Sequence, residues 1–252
     1  MSKLKKRLMN REALIGSLVT MAHPDVAEAL SLVGFDYLWI ETEHSPMNIA
    51  QAQMMIQAVG GRCPCLVRIP ANQEVWVKKA LDTGCDGIIV PQIRTAEEVK
   101  DIVNWSRYPP LGRRSVGISR AHDYGMSFQE YVKRSNEELV VVIQIENTGA
   151  VENIAAIAAV PGVDAFFIGP FDLSGSLGVL GEITHPQVQE AIAATKGHCE
   201  AAGVPVGIFA VDASAARDAI ADGFSLIGLS MDAVFLWQSA KAALDQARGT
   251  SH

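Results

Sequence analysis

The stretch Gly162-Val-Asp164-Ala-Phe-Phe-Ile168 is one of four copies of a short phrase that recurs along the chain. Each copy places a glycine and an Asp or Ser before an apolar run. The other copies are Gly34-Phe-Asp36-Tyr-Leu-Trp-Ile40, Gly84-Cys-Asp86-Gly-Ile-Ile-Val90 and Gly223-Phe-Ser225-Leu-Ile-Gly-Leu229. Glycine accepts the left-handed backbone that ends a helix, Asp or Ser turns the chain, and the apolar run is typical of a buried strand. Each copy therefore predicts the end of a helix followed by a strand.

Four further apolar runs alternate with these copies, at residues 16–22, 64–70, 139–146 and 205–210. Helical patterns fill the intervals: Pro24 to Leu32, Asn48 to Val59, Glu74 to Asp82, Ala96 to Ser106, Ala150 to Ala159, Pro186 to Ala202, Ala213 to Asp222 and Ala233 to Ala247. This strict alternation predicts an α/β protein whose residues 1–252 form a single (β/α)8 TIM barrel. An open doubly wound sheet would more often have about five or six strands.

The composition is that of a globular chain, with 252 residues, 49% hydrophobic and 19% charged residues, and a net charge of -7. The short basic cluster Lys3 to Arg7 has no aromatic platform beside it, which argues against a nucleic-acid partner. No apolar stretch reaches the roughly 18 residues of a membrane span, and Met1 to Leu30 lacks a signal-peptide pattern. We therefore predict a cytoplasmic protein without a membrane partner.

The cysteines show no C-x-x-C spacing and no disulfide framework, and they are Cys63, Cys65, Cys85 and Cys199. We expect them to fill the core. A reactive thiol at Cys85, which opens a strand, is the alternative.

Two acidic residues close consecutive apolar runs, Glu146 after the fifth and Asp172 after the sixth. In a (β/α)8 barrel the active site lies at the C-terminal ends of the strands. Two carboxylates without a neighbouring cysteine or histidine suit a hard divalent cation such as Mg²⁺ or Mn²⁺. Further polar residues fall at other strand ends: Glu41, Glu43, His44, Arg68, Gln92 and Gln144.

Each of these residues also has a structural interpretation. Arg68 could be the ion-pair partner of Glu41 or Glu146, and His44 could lie near a helix start without any chemistry. Polar groups at five strand ends favour the functional interpretation, because a stabilising network would lie at the strand starts. Asp82 ends the third predicted helix, opposite the strand ends, so within one subunit it looks structural. It could reach a site only from a neighbouring subunit or by an unusual path.

Together these motifs resemble the HpcH/HpaI family of metal-dependent class II pyruvate aldolases, over most of the chain. The motifs that carry the resemblance are Glu43-His44-Ser-Pro46, Val67-Arg68, Leu81-Asp82-Thr-Gly84, Arg107-Tyr-Pro-Pro110 with Gly112 to Gly117, Gln144-Ile-Glu146, and Gly169-Pro-Phe171-Asp172-Leu-Ser174 through Leu177-Gly178.

The resemblance implies a role for each matched residue. Glu146 and Asp172 would bind Mg²⁺, Mn²⁺ or Co²⁺, and Arg68 would steady the enolate oxygen. His44 would be the base, paired with Asp82 across a subunit contact. The remaining residues would contact the substrate. Gln144 would do so directly or through a metal-bound water, and Gly169 would lie beside it. The backbone N–H groups of Phe171 and Asp172 would receive the pyruvate carboxylate.

The implied reaction is cleavage of a 4-hydroxy-2-oxoacid to pyruvate and an aldehyde through a metal-stabilised enolate. An oxaloacetate decarboxylase that uses the same enolate and a non-catalytic binding barrel are the alternatives. No lysine follows a strand, which argues against a Schiff-base aldolase. The apolar segment Ala233 to Trp237 predicts a homo-oligomer contact, as in the trimers and hexamers of the family, although a helix that covers its own barrel would look similar.

Two positions depart from the family pattern. Glu41 stands where the family commonly has Asp, so its longer side chain could alter how His44 is held. Phe171 replaces a small residue, and its ring could narrow the pocket or favour an apolar aldehyde.

Overall fold

The computed structural model describes residues 1–249, and its eight strands form a closed parallel barrel. Each strand pairs with the next along the chain, and β8 pairs with β1. The strands are β1 (Leu14–Val19), β2 (Tyr37–Glu41), β3 (Cys65–Arg68), β4 (Gly87–Val90), β5 (Val140–Ile145), β6 (Ala165–Ile168), β7 (Val206–Ala210) and β8 (Leu226–Met231). The predicted (β/α)8 barrel is confirmed.

Helices surround the barrel at all the positions that the sequence pattern predicts. They are α1 (Lys3–Met9), α2 (Pro24–Ser31), α3 (Ile49–Val59), α4 (Glu74–Asp82), α5 (Ala96–Ser106), α6 (Phe128–Glu138), α7 (Thr148–Glu152), α8 (Ile154–Ala158), α9 (Pro170–Ser176), α10 (Pro186–Ala201), α11 (Ala213–Ala221) and α12 (Asp232–Arg248). The helix predicted from Ala150 to Ala159 is divided into α7 and α8. Within residues 1–249, no helix combines the length and apolar character needed to cross a bilayer.

The acidic residue in three copies of the recurring phrase fastens β2, β4 and β6 to the strand before each. Asp36, Asp86 and Asp164 each accept a backbone N–H at 2.8 Å near the start of the preceding odd strand, from Ile15, Cys65 and Val141. The glycine of every copy has a positive φ, between 79° and 104°. A residue with a Cβ would be strained in that backbone conformation. The repeat therefore ends a helix and fixes strand register at the same point.

Helix α1, which the sequence pattern did not predict, covers the N-terminal end of the barrel. Leu4 and Leu8 pack against the side chains that fill the barrel interior. Between them, the Lys5 ammonium lies 2.8 Å from a carboxylate oxygen of Asp164 and donates to the carbonyl of Leu139 at 3.1 Å. Only two apolar residues one turn apart mark this helix, which is too short a pattern to predict it.

We predict that Asp164→Ala is strongly destabilising. Asp164 pairs with Lys5 and, at 3.1 Å, with Arg107, and all three side chains are almost fully buried. Removal of the carboxylate leaves two buried cations without their partner, which costs about 3 kcal/mol or more. Thermal unfolding should show a Tm lower by roughly 6–12 °C.

The matched control is Asp101→Ala, which breaks an exposed ion pair with Arg113. It should cost less than about 1 kcal/mol. Equal Tm shifts for the two variants would contradict the structural role of the buried pair.

Candidate active site

A cavity of about 150 Å³ opens at the C-terminal ends of the strands. Trp39 and Phe167 line it from inside the barrel, with their rings edge to face at 4.8 Å. Six of the predicted site residues line it as well, together with the neighbouring Pro170: they are His44, Arg68, Gln144, Gly169, Phe171 and Asp172. The structure thus brings His44, Arg68, Gln144 and Asp172 together at one cavity, whereas Glu146 and Asp82 do not line it.

The guanidinium of Arg68 forms a buried ion pair with Glu41. Its Nε donates to Glu41 Oε2 at 2.6 Å, and Nη2 lies 2.5 Å from the same oxygen. The indole N–H of Trp39 donates to that oxygen at 3.1 Å, and the guanidinium lies 5.1 Å from the centre of the Trp39 ring. The ion pair with Glu41 that the sequence left open for Arg68 is present, and it also holds the guanidinium at the cavity.

The second oxygen of Glu41 holds the loop that follows β2. It accepts the backbone N–H groups of Glu43 at 2.6 Å and His44 at 2.9 Å. Glu41 is only 1% exposed, so all of these bonds are made away from water. From the sequence, Glu41 was a possible ion-pair partner of Arg68 and a departure from the family pattern; in the structure its carboxylate organises both Arg68 and the loop that carries His44.

Gln144 links Arg68 to Glu146. Its side-chain oxygen accepts from Arg68 Nη1 at 3.3 Å, and its Nε2 donates to Glu146 Oε2 at 2.7 Å. The other oxygen of Glu146 accepts the backbone N–H of Gln92 at 2.7 Å. Gln92 has a φ of 58°, a strained conformation for a residue with a side chain, and this turn directs its N–H toward the carboxylate. Glu146 is thus fixed by two hydrogen bonds.

The carboxylates of the site outnumber its cations. Burial raises the pKa of Glu43 to about 7 and that of Glu146 to about 7, and the charge of Asp172 adds to both shifts. Glu43 Oε2 lies 3.3 Å from Arg68 Nη1, but without the geometry of a hydrogen bond, and it has no other donor. Arg68 is already paired with Glu41, so the remaining negative charge lacks compensation.

This arrangement fits a divalent metal ion. Asp172 lines the cavity, and the buried carboxylate of Glu146 lies directly behind Gly169 and Gln144, which line it. Both groups offer hard carboxylate oxygens, and an added positive charge would favour their ionised forms. Within residues 1–249, no three Asp, Glu, His or Cys side chains come close enough together to enclose an ion. Water and substrate oxygens would therefore complete the coordination of an ion at this site.

Asp82 does not reach the cavity of its own subunit. It ends α4, and Asp82 Oδ1 lies 2.8 Å from Arg114 Nη2. The Arg114 guanidinium lies 4.7 Å from the centre of the Tyr108 ring and donates to the hydroxyl of Tyr131 at 3.1 Å. Within one subunit Asp82 is therefore structural, as its sequence position predicts.

The imidazole of His44 lies largely in solvent. The His44 side chain is 62% exposed, and its Nε2 lies 3.7 Å from Glu43 Oε2.

Cys85 is buried, and burial raises the pKa of its thiol to about 12. Burial and the raised pKa of this thiol favour the core-filling interpretation over the reactive-thiol alternative.

A family model described as HpcH/HpaI aldolase/citrate lyase matches residues 15–238 of the chain. The chain belongs to this family. It is similar to a 4-hydroxy-2-oxovalerate aldolase of Novosphingobium aromaticivorans, with 35% identity over 98% of this chain and 94% of the relative. It is also similar to a 5-keto-4-deoxy-D-glucarate aldolase of Shigella dysenteriae, with 36% identity over 92% and 91% of the two chains.

A solved structure from Burkholderia cenocepacia, described as a HpcH/HpaI aldolase/citrate lyase family protein, superposes with a TM-score of 0.95. It is 36% identical and covers 98% of this chain and 100% of its own. The relatives are named as aldolases, so the HpcH/HpaI chain described here is an enzyme of the lyase class that acts on small molecules. The non-catalytic alternative is correspondingly disfavoured.

Gly169 lies against the Glu146 carboxylate. A Cβ at position 169 would come within 3.1 Å of both the Cβ and Oε2 of Glu146. We predict that Gly169→Ala displaces this carboxylate and weakens Mn²⁺ binding roughly 10–100-fold, as loss of support around a metal ligand does. Calorimetric titration with Mn²⁺ measures the effect.

Gly175→Ala is the control, because its added Cβ would meet only the end of the flexible Leu180 side chain at 3.0 Å. Mn²⁺ affinity in this variant should match that of the wild type. A Gly169→Ala protein that binds Mn²⁺ normally would show that Glu146 is not held as described.

Proposed function

We propose that this enzyme is a divalent-metal-dependent aldolase that cleaves a 4-hydroxy-2-oxoacid to pyruvate and an aldehyde. One observation carries the proposal: a continuous buried chain of contacts runs from Glu41 through Arg68 and Gln144 to Glu146. It fixes a guanidinium that lines the cavity and, joined to it by the Gln144 amide, a carboxylate directly behind the cavity wall. A reaction that builds negative charge on an oxygen between a metal and an arginine needs this arrangement.

Glu146 and Asp172 would hold the metal ion, one of Mg²⁺, Mn²⁺ and Co²⁺. When bound, the metal supplies Lewis acidity toward the 2-oxo group of the substrate. Arg68 is 7% exposed and cannot swing away while Glu41 holds it, so its charge is in place before the reaction begins. It would stabilise the enolate oxygen as the C3–C4 bond breaks.

His44 would accept the proton of the 4-hydroxyl group, because it is the one imidazole on the cavity wall within the described residues. Asp82 of a neighbouring subunit would pair with it. Asp82 is 33% exposed, and its Oδ1 is bonded to Arg114. Among residues 1–249 its other oxygen has no hydrogen-bond donor, so it is available to a second chain. Arg114 would then act as a positioning residue for Asp82.

The pyruvate carboxylate would bind to the backbone N–H groups of Phe171 and Asp172. These residues lie in the first turn of α9, whose first residue, Pro170, has no N–H of its own. Gly169 and Gln144 line the same part of the cavity. The substrate carboxylate and its 2-oxo oxygen could therefore be bound together next to Glu146.

The proposal predicts metal-dependent release of pyruvate from racemic 4-hydroxy-2-oxopentanoate. EDTA should abolish release, and Mn²⁺ or Mg²⁺ should restore it. Glu146→Gln keeps the shape of the side chain but removes its charge, so it should lower kcat/KM about 100-fold or more. Pyruvate is measured with lactate dehydrogenase and NADH.

Oxaloacetate decarboxylation serves as the comparison, because it would form the same enolate by loss of CO₂. It should show the same dependence on metal and on Glu146. Release of pyruvate that survives EDTA treatment would contradict the proposal.

A homo-oligomer, a trimer or a hexamer, belongs to the same proposal, with α12 at a subunit contact. Leu236 is 60% exposed and Trp237 is 55% exposed. After Phe235, α12 is exposed over nearly its whole length, so it does not cover its own barrel. A long helix with exposed apolar residues is stabilised when a second subunit packs against it.

Complementation between subunits tests the shared site. Co-expressed His44→Ala and Asp82→Ala chains, each carrying a different affinity tag, should form mixed oligomers that regain activity in about one quarter of the sites. His44→Ala co-expressed with Arg68→Ala is the control, since both residues belong to one subunit's cavity and no intact site can form. Equal activity in the two mixtures would rule out the contribution of Asp82 from a partner.

A cytoplasmic location remains a prediction from the sequence. Its structural support is that all four cysteines are buried and unpaired.

A further inference from the structure

The cavity at the strand ends has two chemically different sides. His44, Arg68, Gln144 and Asp172 lie toward the ends of β2, β3, β5 and β6. The opposite side, toward β1, β7 and β8, is lined by Leu18, Phe209 and Met231, with Phe171 beside them. We call these four residues the apolar wall. Since pyruvate would occupy the polar side, the apolar wall faces whatever is attached beyond C3.

The apolar wall is a packed structure. The rings of Phe171 and Phe209 meet edge to face, with centroids 6.4 Å apart and planes at 69°. Phe209 lies on β7, opposite Gly228 of β8 in register. A Cβ at Gly228 would come within 3.1 Å of the Phe167 ring and 3.6 Å of the Phe209 ring. The absence of a side chain at Gly228 gives both rings their space.

Charged groups are confined to the polar side of the cavity. Among the described residues that line it, only His44, Arg68 and Asp172 can carry charge. Arg68 is bound to Glu41, and Asp172 is itself an anion. A second carboxylate on the substrate would therefore lie against aromatic and aliphatic side chains, with no cation to receive it. Such a placement costs the hydration of the anion without compensation.

We propose that the aldehyde partner carries a short, uncharged apolar chain that packs against the apolar wall. This inference rests on the proposed function and names the substrate class for it: 4-hydroxy-2-oxoacids with a single carboxylate. In the cleavage direction the 4-hydroxyl loses its proton, the C3–C4 bond breaks, its electron pair enters the enolate, and C4 leaves as the apolar aldehyde. Protonation of the enolate at C3 then gives pyruvate.

The names of the relatives do not decide between substrate classes. 4-Hydroxy-2-oxovalerate has one carboxylate, whereas 5-keto-4-deoxy-D-glucarate has two. The apolar wall of this chain is the feature that favours the first kind.

Two acceptors of equal length separate the classes in the condensation direction. Butanal ends in a methyl group and succinic semialdehyde in a carboxylate. With pyruvate and Mg²⁺, the wild-type enzyme should show a kcat/KM for butanal roughly tenfold or more above that for succinic semialdehyde. A ratio near one, or one that favours the semialdehyde, would overturn the proposal.

Variants of the apolar wall should lower this ratio. Phe171→Arg places a cation at a position that is 41% exposed, so it should fold and should favour the carboxylated acceptor, with a ratio roughly tenfold lower. Phe209→Ala removes the ring and should lower the ratio through butanal alone. Both acceptors react with the same enolate, so any loss in the enolate-forming step cancels in the ratio of their kcat/KM values. An unchanged ratio in both variants would overturn the proposal.

Ile208→Val is the matched control on β7. Ile208 packs among the side chains between the barrel and the helices, away from the cavity. The ratio of kcat/KM for butanal to that for succinic semialdehyde in Ile208→Val should equal the wild-type ratio. A ratio that falls as far as in Phe209→Ala would overturn the assignment of Phe209 to the apolar wall.

Exchange of the C3 protons of pyruvate in D₂O, without any aldehyde, tests the aldolase proposal separately from the proposed substrate class. If exchange occurs and butanal is not preferred, the substrate class is wrong while the aldolase proposal stands. If metal-dependent exchange is absent, the aldolase proposal fails and the substrate class fails with it.

Discussion

The site depends on one buried cation, Arg68, held among carboxylates at the end of β3. Its ion pair with Glu41 fixes the guanidinium, and the same Glu41 carboxylate fixes the loop that carries Glu43 and His44. Through Gln144 the guanidinium is connected to Glu146. Loss of Arg68 would leave buried carboxylates without compensation, which is far more costly than the loss of a surface pair.

The barrel makes this network possible through strand register. Glu41 and Arg68 are direct neighbours in the pairing of β2 with β3. Their side chains therefore project to the same face of the sheet, and a shift of one residue would separate them. At the start of the strands, Asp36 bonds to β1 and Asp86 bonds to β3, which fixes β2 to β1 and β4 to β3. The pairing of β2 with β3 then places Glu41 beside Arg68 at the other end.

The fold could be predicted from the sequence because its signal is repeated. The four copies of the glycine phrase marked alternate strands, and the residues at strand ends marked the cavity. Helix α1 escaped prediction because Leu4 and Leu8 give too little pattern, and the barrel end that they cover exists only in three dimensions. The basic residues of that segment were weighed only as a nucleic-acid contact, whereas in the structure Lys5 is buried against Asp164.

The residues of the candidate site were easier to predict from the sequence than the contacts that hold them in place. The hydrogen bond from the Gln92 backbone N–H does not depend on the type of residue, so the sequence does not reveal it. The bonds of Glu41 depend on a loop conformation that its own carboxylate creates. The pairing of Asp82 with Arg114 joins the end of α4 to a residue 32 positions further along the chain. Such contacts follow from the folded chain and not from local sequence.

The central claim is that the excess of carboxylates at this cavity exists to bind one divalent ion. Titration calorimetry with Mn²⁺ on the wild type and on Glu146→Gln tests it most directly. We expect about one Mn²⁺ per chain in the wild type. The Mn²⁺ affinity of Glu146→Gln should be roughly 10–100-fold weaker. Absence of Mn²⁺ binding to the wild type, or equal affinity in the two proteins, would contradict it.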